Sequence, residues 1–418
     1  MFSRRTFLRT SLQTSALVAL APTVPTFLAH TARATAPQRD GRVLVIVQLD
    51  GGNDGINTVV PFKDEGYAKH RKELRLPTDR LLKITKEVGL HPAMDAAAQL
   101  WERGQLAIVQ GVSYPNPSRS HFHSMRIWQS ANTDLLRFKE GAADAAVYGW
   151  VGQALDRGRD PADGAPAAVY VGIGTPPVAL RSRRCSTSAM TRPEDSILTL
   201  PREARPDAAA LESSADLAAF VRRSTLDAYA TSARMAEVLR VKDTEASYPA
   251  TALSKRLRVI ARLIKGGVGT RVFYLVHGND IADTGNGSYD THSLQLPFHA
   301  DLLGELSGAL RAFLDDLAAA KLAERVVILC FSEFGRRVAE NGSRGTDHGT
   351  AGPVLLVGPR VKSGLVGEAP KLLDLQDGDL KMTTDFRRVY ATVLEDWLGL
   401  PSKSALGATF DTLPLFRG

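Results

Sequence analysis

Residues Val326 to Phe331 form an apolar run with no alternation, and the run stops at Ser332-Glu333. Such a run suits a strand buried on both faces, in the middle of a mostly parallel sheet covered by helices. A glycine-containing loop follows and delivers Asp347-His348-Gly349. In open α/β sheets, ligands sit in the crevice outside the carboxyl ends of the strands. A carboxylate there, with an Asp-His pair returned by a loop, offers the donors that a hard or borderline divalent metal takes. The structural alternative pairs Glu333 with Arg336 or Arg337 and leaves His348 as a loop histidine.

Three further stretches repeat the pattern. Arg42 to Leu49 is apolar and β-branched and ends in Asp50-Gly51-Gly52-Asn53-Asp54-Gly55. Leu106 to Val112 is followed by Ser113-Tyr114-Pro115-Asn116-Pro117-Ser118-Arg119-Ser120-His121. Two prolines stiffen that loop, and Ser118 or Ser120 is a natural N-cap for a helix running to Ala131. Arg271 to His277 leads through a polar, glycine-rich stretch to Asp290-Thr291-His292. In a parallel sheet, the four strand ends converge on one edge.

Between these strands lie helical stretches at Ala93–Arg103, Ala146–Arg157, Ala208–Lys242, Ala250–Ile264, Leu294–Ala320 and Asp385–Leu398. Further strands are expected at Ala168–Ile173 and Pro353–Val357, and a short extended piece at Asn57–Pro61. Asp64 to Pro77 is charged and reads as a surface loop or lid, and Thr175 to Arg205 as a loop or insertion. Strands alternating with helices imply βαβ units and a three-layer α/β/α sandwich.

Residues 1–34 stand apart. Ser3-Arg4-Arg5-Thr6-Phe7-Leu8 is a twin-arginine export signal, followed by an apolar stretch broken by Pro22 and Pro25 and a small-x-small site at Ala32-Arg33-Ala34. The stretch is too short and broken for a membrane span, which needs about 20 apolar residues. The expected organisation is this signal followed by one domain over 35–418, exported folded to the periplasm or beyond by the twin-arginine machinery. The formal charge of +7 overstates the basicity, because losing Arg4, Arg5, Arg9 and Arg33, with no acid, leaves +3. That balance gives no reason to expect nucleic acid or a membrane surface as partner. Only Cys185 and Cys330 are present. There is no CxxC, CxxCH or GxGxxG, which argues against haem, iron–sulfur and dinucleotide chemistry. Cys330 lies in an apolar run as a small hydrophobe, and a disulfide with Cys185 is open.

A divalent ion held by carboxylates and imidazoles can activate a nucleophile at neutral pH. Ser120, at a helix start, would face exposed N–H groups suited to a phosphate or sulfate oxyanion. A serine there can also be a plain N-cap, and Ser118 could swap roles with Ser120. Arg119 has the fork to grip an oxyanion or an acid, and His121 lies beside it.

These residues resemble a family of exported bacterial proteins grouped as domain of unknown function 1501. The likeness runs over nearly the whole chain and rests on VQLDGGNDGINTVVPF, LAIVQGVSYPNPSRSHFHSMRIWQ, DTHSLQ, FSEFGRRVAENGSRGTDHGTAGP and TTDFRRVYATVLEDWLG. The family is similar to a distant branch of the alkaline phosphatase and sulfatase superfamily. That resemblance implies an alkaline phosphatase-like fold, a divalent metal (Zn, Ca, Mg or Mn) and hydrolysis of small phosphate or sulfate esters. It implies Asp50 as the first-strand metal ligand, Ser120 as the nucleophile, and Asp290, His292 and His348 at one metal site. Glu333 falls where the superfamily carries Asp. The expected ligand pool is Asp50, Asp290, His292, Glu333 and His348, with Asp347 and His121 in reserve. Phe334 replaces the superfamily's His or Asn, and proline stands at the nucleophile position when Pro115-Asn116-Pro117-Ser118-Arg119 is set on the sulfatase motif. A formylglycine sulfatase is not expected. The rival expectation is a non-catalytic envelope protein that keeps this fold.

Overall fold

A computed structural model describes residues 41–134, 147–158, 165–185, 187–192, 194, scattered positions between 229 and 240, 245–278 and 287–418. The export signal, and most of the helix expected over 208–242, lie outside the described residues.

Among the described residues, nine strands form the main sheet. In chain order they are β1 (Val43–Leu49), β2 (Leu106–Ser113), β3 (Ala168–Val171), β4 (Thr187–Met190), β5 (Val272–His277), β6 (Val326–Ser332), β7 (Gly352–Val357), β8 (Gly364–Val366) and β9 (Thr384–Asp385). Their spatial order is β8-β2-β7-β6-β1-β5-β3-β4, with β9 also paired to β2. Every pairing is parallel except the two made by β7, which runs antiparallel to both β2 and β6. β4 falls in the stretch read from sequence as a loop or insertion; its partly exposed residues give no apolar run to betray an edge strand.

Period-two alternation makes the layers. Val43, Val45, Val47 and Leu49 enter one core, together with Val326, Ile328 and Cys330. Leu44 and Ile46 enter the other, with Val327, Leu329 and Phe331. The first core is closed by α1 (Asp95–Glu102), α4 (Ala252–Lys265) and α5 (Gln295–Ala319). The second is closed by α2 (His121–Ser130), α3 (Trp150–Gly158) and α6 (Phe386–Thr392). Each buried aliphatic side chain contributes about 1.5–3 kcal/mol relative to exposure, so the alternation sets which face each helix covers. This is the three-layer α/β/α sandwich that the sequence implies. Among the described residues, no helix is long and apolar enough to cross a membrane.

Two local readings change. Asn57 to Pro61 is not simply extended, since Gly55–Thr58 is a short helix capped by Asp54 and only Val59–Val60 is a strand. Asp64 to Pro77 is not a surface loop or lid throughout. It holds the helix Glu65–His70, and Arg71 within it is fully buried against Asp54 at 2.5 Å. The guanidinium also donates to the carbonyls of Arg337 and Val338. Cys185 and Cys330 are both free thiols, Cys330 buried within β6.

Candidate metal centre at the strand ends

Parallel pairing puts the carboxyl ends of β1, β5 and β6 on one edge, and the two antiparallel pairings of β7 bring that of β2 to the same edge. The antiparallel β7 matters as much. It starts on that same edge, so the loop from β6 never crosses the sheet and leaves Asp347 and His348 there. Its neighbour Arg336 is fully buried and ties the loops together. It donates to the carbonyls of Gly51, Gly52, Tyr289 and Thr346, and to Asp290 Oδ1 at 2.6 Å. The Arg336 pairing open to Glu333 is therefore made with Asp290 instead.

Three imidazoles then point at one carboxylate. His348 Nε2 lies 3.0 Å from Asp290 Oδ1, and so does His292 Nε2. The two Nε2 atoms are 2.9 Å apart. His121 Nε2 lies 3.5 Å from Asp290 Oδ2, is shielded from solvent and makes no good hydrogen bond. Each ring is held from behind through Nδ1. His348 Nδ1 donates to the Arg119 carbonyl at 2.8 Å, His121 Nδ1 meets Glu333 Oε1 at 2.7 Å, and His292 Nδ1 meets Asp347 Oδ1 at 3.2 Å. A carbonyl or carboxylate oxygen can only accept, so each Nδ1 carries a hydrogen, and in its neutral form each ring turns the Nε2 lone pair inward. Outer partners fix metal-ligating histidines in this way.

Lone pairs aimed at a carboxylate from about 3 Å repel unless a cation lies between them. Two ligands on a tetrahedral zinc with bonds of 2.0–2.1 Å sit about 3.3 Å apart, so a shift of a few tenths of an ångström would admit an ion. His121, Asp290 and His348 offer ligand atoms all within 4.8 Å of one another, and this group fits a borderline divalent ion of the zinc type. With no ion, a proton serves. The carboxylates of Asp290 and Glu333 push the His121 imidazole up to about 9. Burial alone would raise Asp290, but the close approach of His121, His348 and Arg336 holds it far below the usual carboxylate range.

The remaining expected residues occupy distinct places. Glu333 is buried behind His121 and accepts the Gly51 N–H at 2.9 Å. Asp50 accepts from Gln48 at 2.9 Å, and burial, reinforced by the Glu333 charge, pushes its carboxyl up to about 6. Asp347 is exposed behind His292. Ser120 is the N-cap residue of α2 in extended backbone, yet its hydroxyl makes no capping bond. Arg119 is ion-paired to the buried Asp379. Phe334 is buried, its ring 4.9 Å from that of His121 and 4.8 Å from that of His348.

Sequence reading missed the supports. Gln48 sits inside an apolar run on the α2 face of β1, where its carbonyl oxygen accepts from Tyr274 at 2.5 Å and Gln129 at 3.0 Å. A polar residue interrupting such a run was the available signal. A cavity of about 410 Å³ opens beside the cluster, lined among the described residues by Asp50, His121, Asp290 and Glu333 at one end. Ser288 also lines it, and its Oγ accepts the Asp290 N–H at 3.1 Å.

A family model described as "Protein of unknown function (DUF1501)" matches residues 41–406. The chain belongs to the DUF1501 family. No curated protein matches the sequence. Among solved structures, this DUF1501 chain is similar to the C-terminal periplasmic domain of EcEptC from Escherichia coli in complex with Zn, at 10% identity and TM-score 0.39, over 87% of this chain and 84% of that one. It is similar to the lipoteichoic acid synthase LtaP from Listeria monocytogenes, at 9% identity and TM-score 0.36, over 89% and 79% of the two chains. It is also similar to the phosphonate monoester hydrolase of Agrobacterium radiobacter, at 11% identity and TM-score 0.37, over 88% and 78%. Likeness at this level says nothing about what a DUF1501 protein does, which has to come from the site.

Proposed function

We propose that the chain is an exported, metal-dependent hydrolase of phosphate or sulfate esters. The observation that supports this reading most is the convergence of inward-facing Nε2 atoms of His121, His292 and His348 on Asp290, each ring with its Nδ1 hydrogen already used. In this reading His121, Asp290 and His348 hold the ion with His292 alongside, and Glu333, Asp347 and the Arg119 carbonyl orient the rings. Asp50 completes the acidic wall. A bound divalent ion supplies Lewis acidity toward an ester oxygen. Ser120, at the start of α2 with an uncapped hydroxyl, is the nucleophile, and the helix N-terminus favours the oxyanion. Asp50, with its carboxyl raised to about 6, is placed to take a proton near neutral pH. The twin-arginine signal would deliver the folded protein to the periplasm or the exterior.

The test is metal content of the purified protein with turnover of 4-nitrophenyl phosphate and 4-nitrophenyl sulfate, before and after chelation. The expected result is one tightly held divalent ion, chelator-sensitive turnover of at least one ester, and loss of turnover in Ser120→Ala. A folded, metal-free protein inert on both esters contradicts the proposal. A second reading, a binding protein of the cell envelope that retains the fold without the chemistry, is favoured by Phe334, whose ring packs against two of the histidines. It expects the metal without turnover, and a Ser120→Ala protein that still complements a deletion strain.

A further inference from the structure

The cavity beside the cluster has a mixed lining. Part is polar, from Asp50, His121, Asp290 and Glu333. Part is a helical stripe. Phe122, Met125, Arg126 and Gln129 line the cavity from α2 at spacings of three and four, and Val178 lines it too. Phe122 is 47% exposed and borders the cavity. The Arg126 guanidinium lies 5.6 Å from its ring centroid and steadies it as a platform. The Gln129 side chain accepts the Val178 N–H at 3.0 Å and donates to Gln48, so Val178 and the stripe are tied to the network that holds Asp50.

Volume decides what such a space is for. At about 30 Å³ per water, 410 Å³ corresponds to roughly fourteen waters. A tetrahedral oxyanion of five heavy atoms at the polar part leaves most of that unfilled. The rest of the lining holds Phe122, Met125 and Val178 beside Arg126, Gln129 and Ser288, and a methionine there adapts to varied apolar shapes. The size falls within the range of small-molecule sites that hold an organic ligand.

We infer that the substrate is an ester whose alcohol half is bulky and apolar, aromatic or branched, and that Phe122 and Met125 select it. This rests on the proposed hydrolase reading for the identity of the anionic end. The wall's preference is a separate claim and is measured separately. Zinc-equilibrated full-length protein is titrated calorimetrically with 1-naphthylphosphonate and with methylphosphonate, neither of which has an ester bond to cleave. The expected result is tighter binding of the naphthyl compound by about tenfold or more, the gain from burying one ring system. In Phe122→Ala/Met125→Ala that preference falls to about twofold or less, while methylphosphonate affinity is unchanged. Phe122 is exposed and Met125 is partly buried against the second core, so a circular-dichroism spectrum like the parent's checks that the variant folds. Equal affinity for the two compounds, or a preference that survives the double substitution, overturns the inference and leaves the hydrolase reading standing. Binding of neither compound overturns both. Preferential naphthylphosphonate binding without ester turnover upholds the selective wall and counts against the hydrolase.

Discussion

Single residues at the strand ends act through what stands behind them. Glu333 is the example, because its carboxylate meets both His121 Nδ1 and the Gly51 N–H. Glu333→Gln weakens the acceptor that fixes the His121 ring, and zinc affinity is expected to fall roughly 10- to 100-fold by calorimetry, the usual effect of removing an outer partner. Arg71 shows the same logic in a structural setting. Burial pushes the Asp54 carboxyl up, but the Arg71 guanidinium outweighs it and holds the carboxyl at about 2. Arg71→Ala leaves that charge buried without its counter-ion. Stability is expected to drop by about 3–5 kcal/mol in urea unfolding. The charged stretch around Arg71 was unreadable from sequence for a plain reason. Whether a cation is solvated or buried depends on a partner, here 17 residues away, that only the fold supplies.

The elements that matter most are strand ends and the turns that leave them. After β1 the chain passes so close to the β5 loop that a Cβ on Gly51 would lie 2.4 Å from the Asp290 nitrogen, and its φ is +114°. Gly51→Ala is therefore expected to cost about 1–3 kcal/mol through strain and to lower zinc affinity by pushing Asp290 off its histidines. Gly287→Ala, also at positive φ but in open space, serves as the control and should leave zinc affinity intact. If both variants bind zinc as the parent does, close approach of these loops has no part in building the site. At this scale the sequence was informative. The runs ending at Leu49, Val112, His277 and Phe331 carry period-free burial and a reactive residue beyond each end, so the sheet and its loaded edge could both be read. Direction could not. Pro353 to Val357 is apolar whichever way it runs, and its antiparallel course is what keeps Asp347 and His348 on the correct edge. Arg336 was equally hidden, because five hydrogen bonds to three loops leave no local pattern.

For the molecule as a whole, two buried histidines on the α5 side of the sheet edge set a pH response. Burial pushes His91 down to about 4 and His299 down to about 3. The unfolded chain takes up protons near 6.5 that the native fold refuses. Their stabilising effect is therefore complete above about pH 6.5 and is lost as pH falls toward 4 and then 3. Asp54 adds a loss between its unfolded value of 3.8 and about 2, while Asp50, raised to about 6, opposes part of the trend between 6 and 3.8. The melting temperature of metal-free protein is expected to fall between pH 7 and 4.5, and His299→Gln, which keeps an N–H toward Asn53, should flatten the fall. A pH-independent melting temperature over that interval contradicts the assignment of neutral buried histidines.

The central claim is that distant parts of the chain meet around one cation, and anomalous diffraction from crystals grown with zinc tests it most directly. The account expects a single strong peak within bonding distance of His121 Nε2, His348 Nε2 and an Asp290 carboxylate oxygen, with His292 alongside. Zinc bound elsewhere, or no peak at that edge while the four side chains keep these positions, contradicts it.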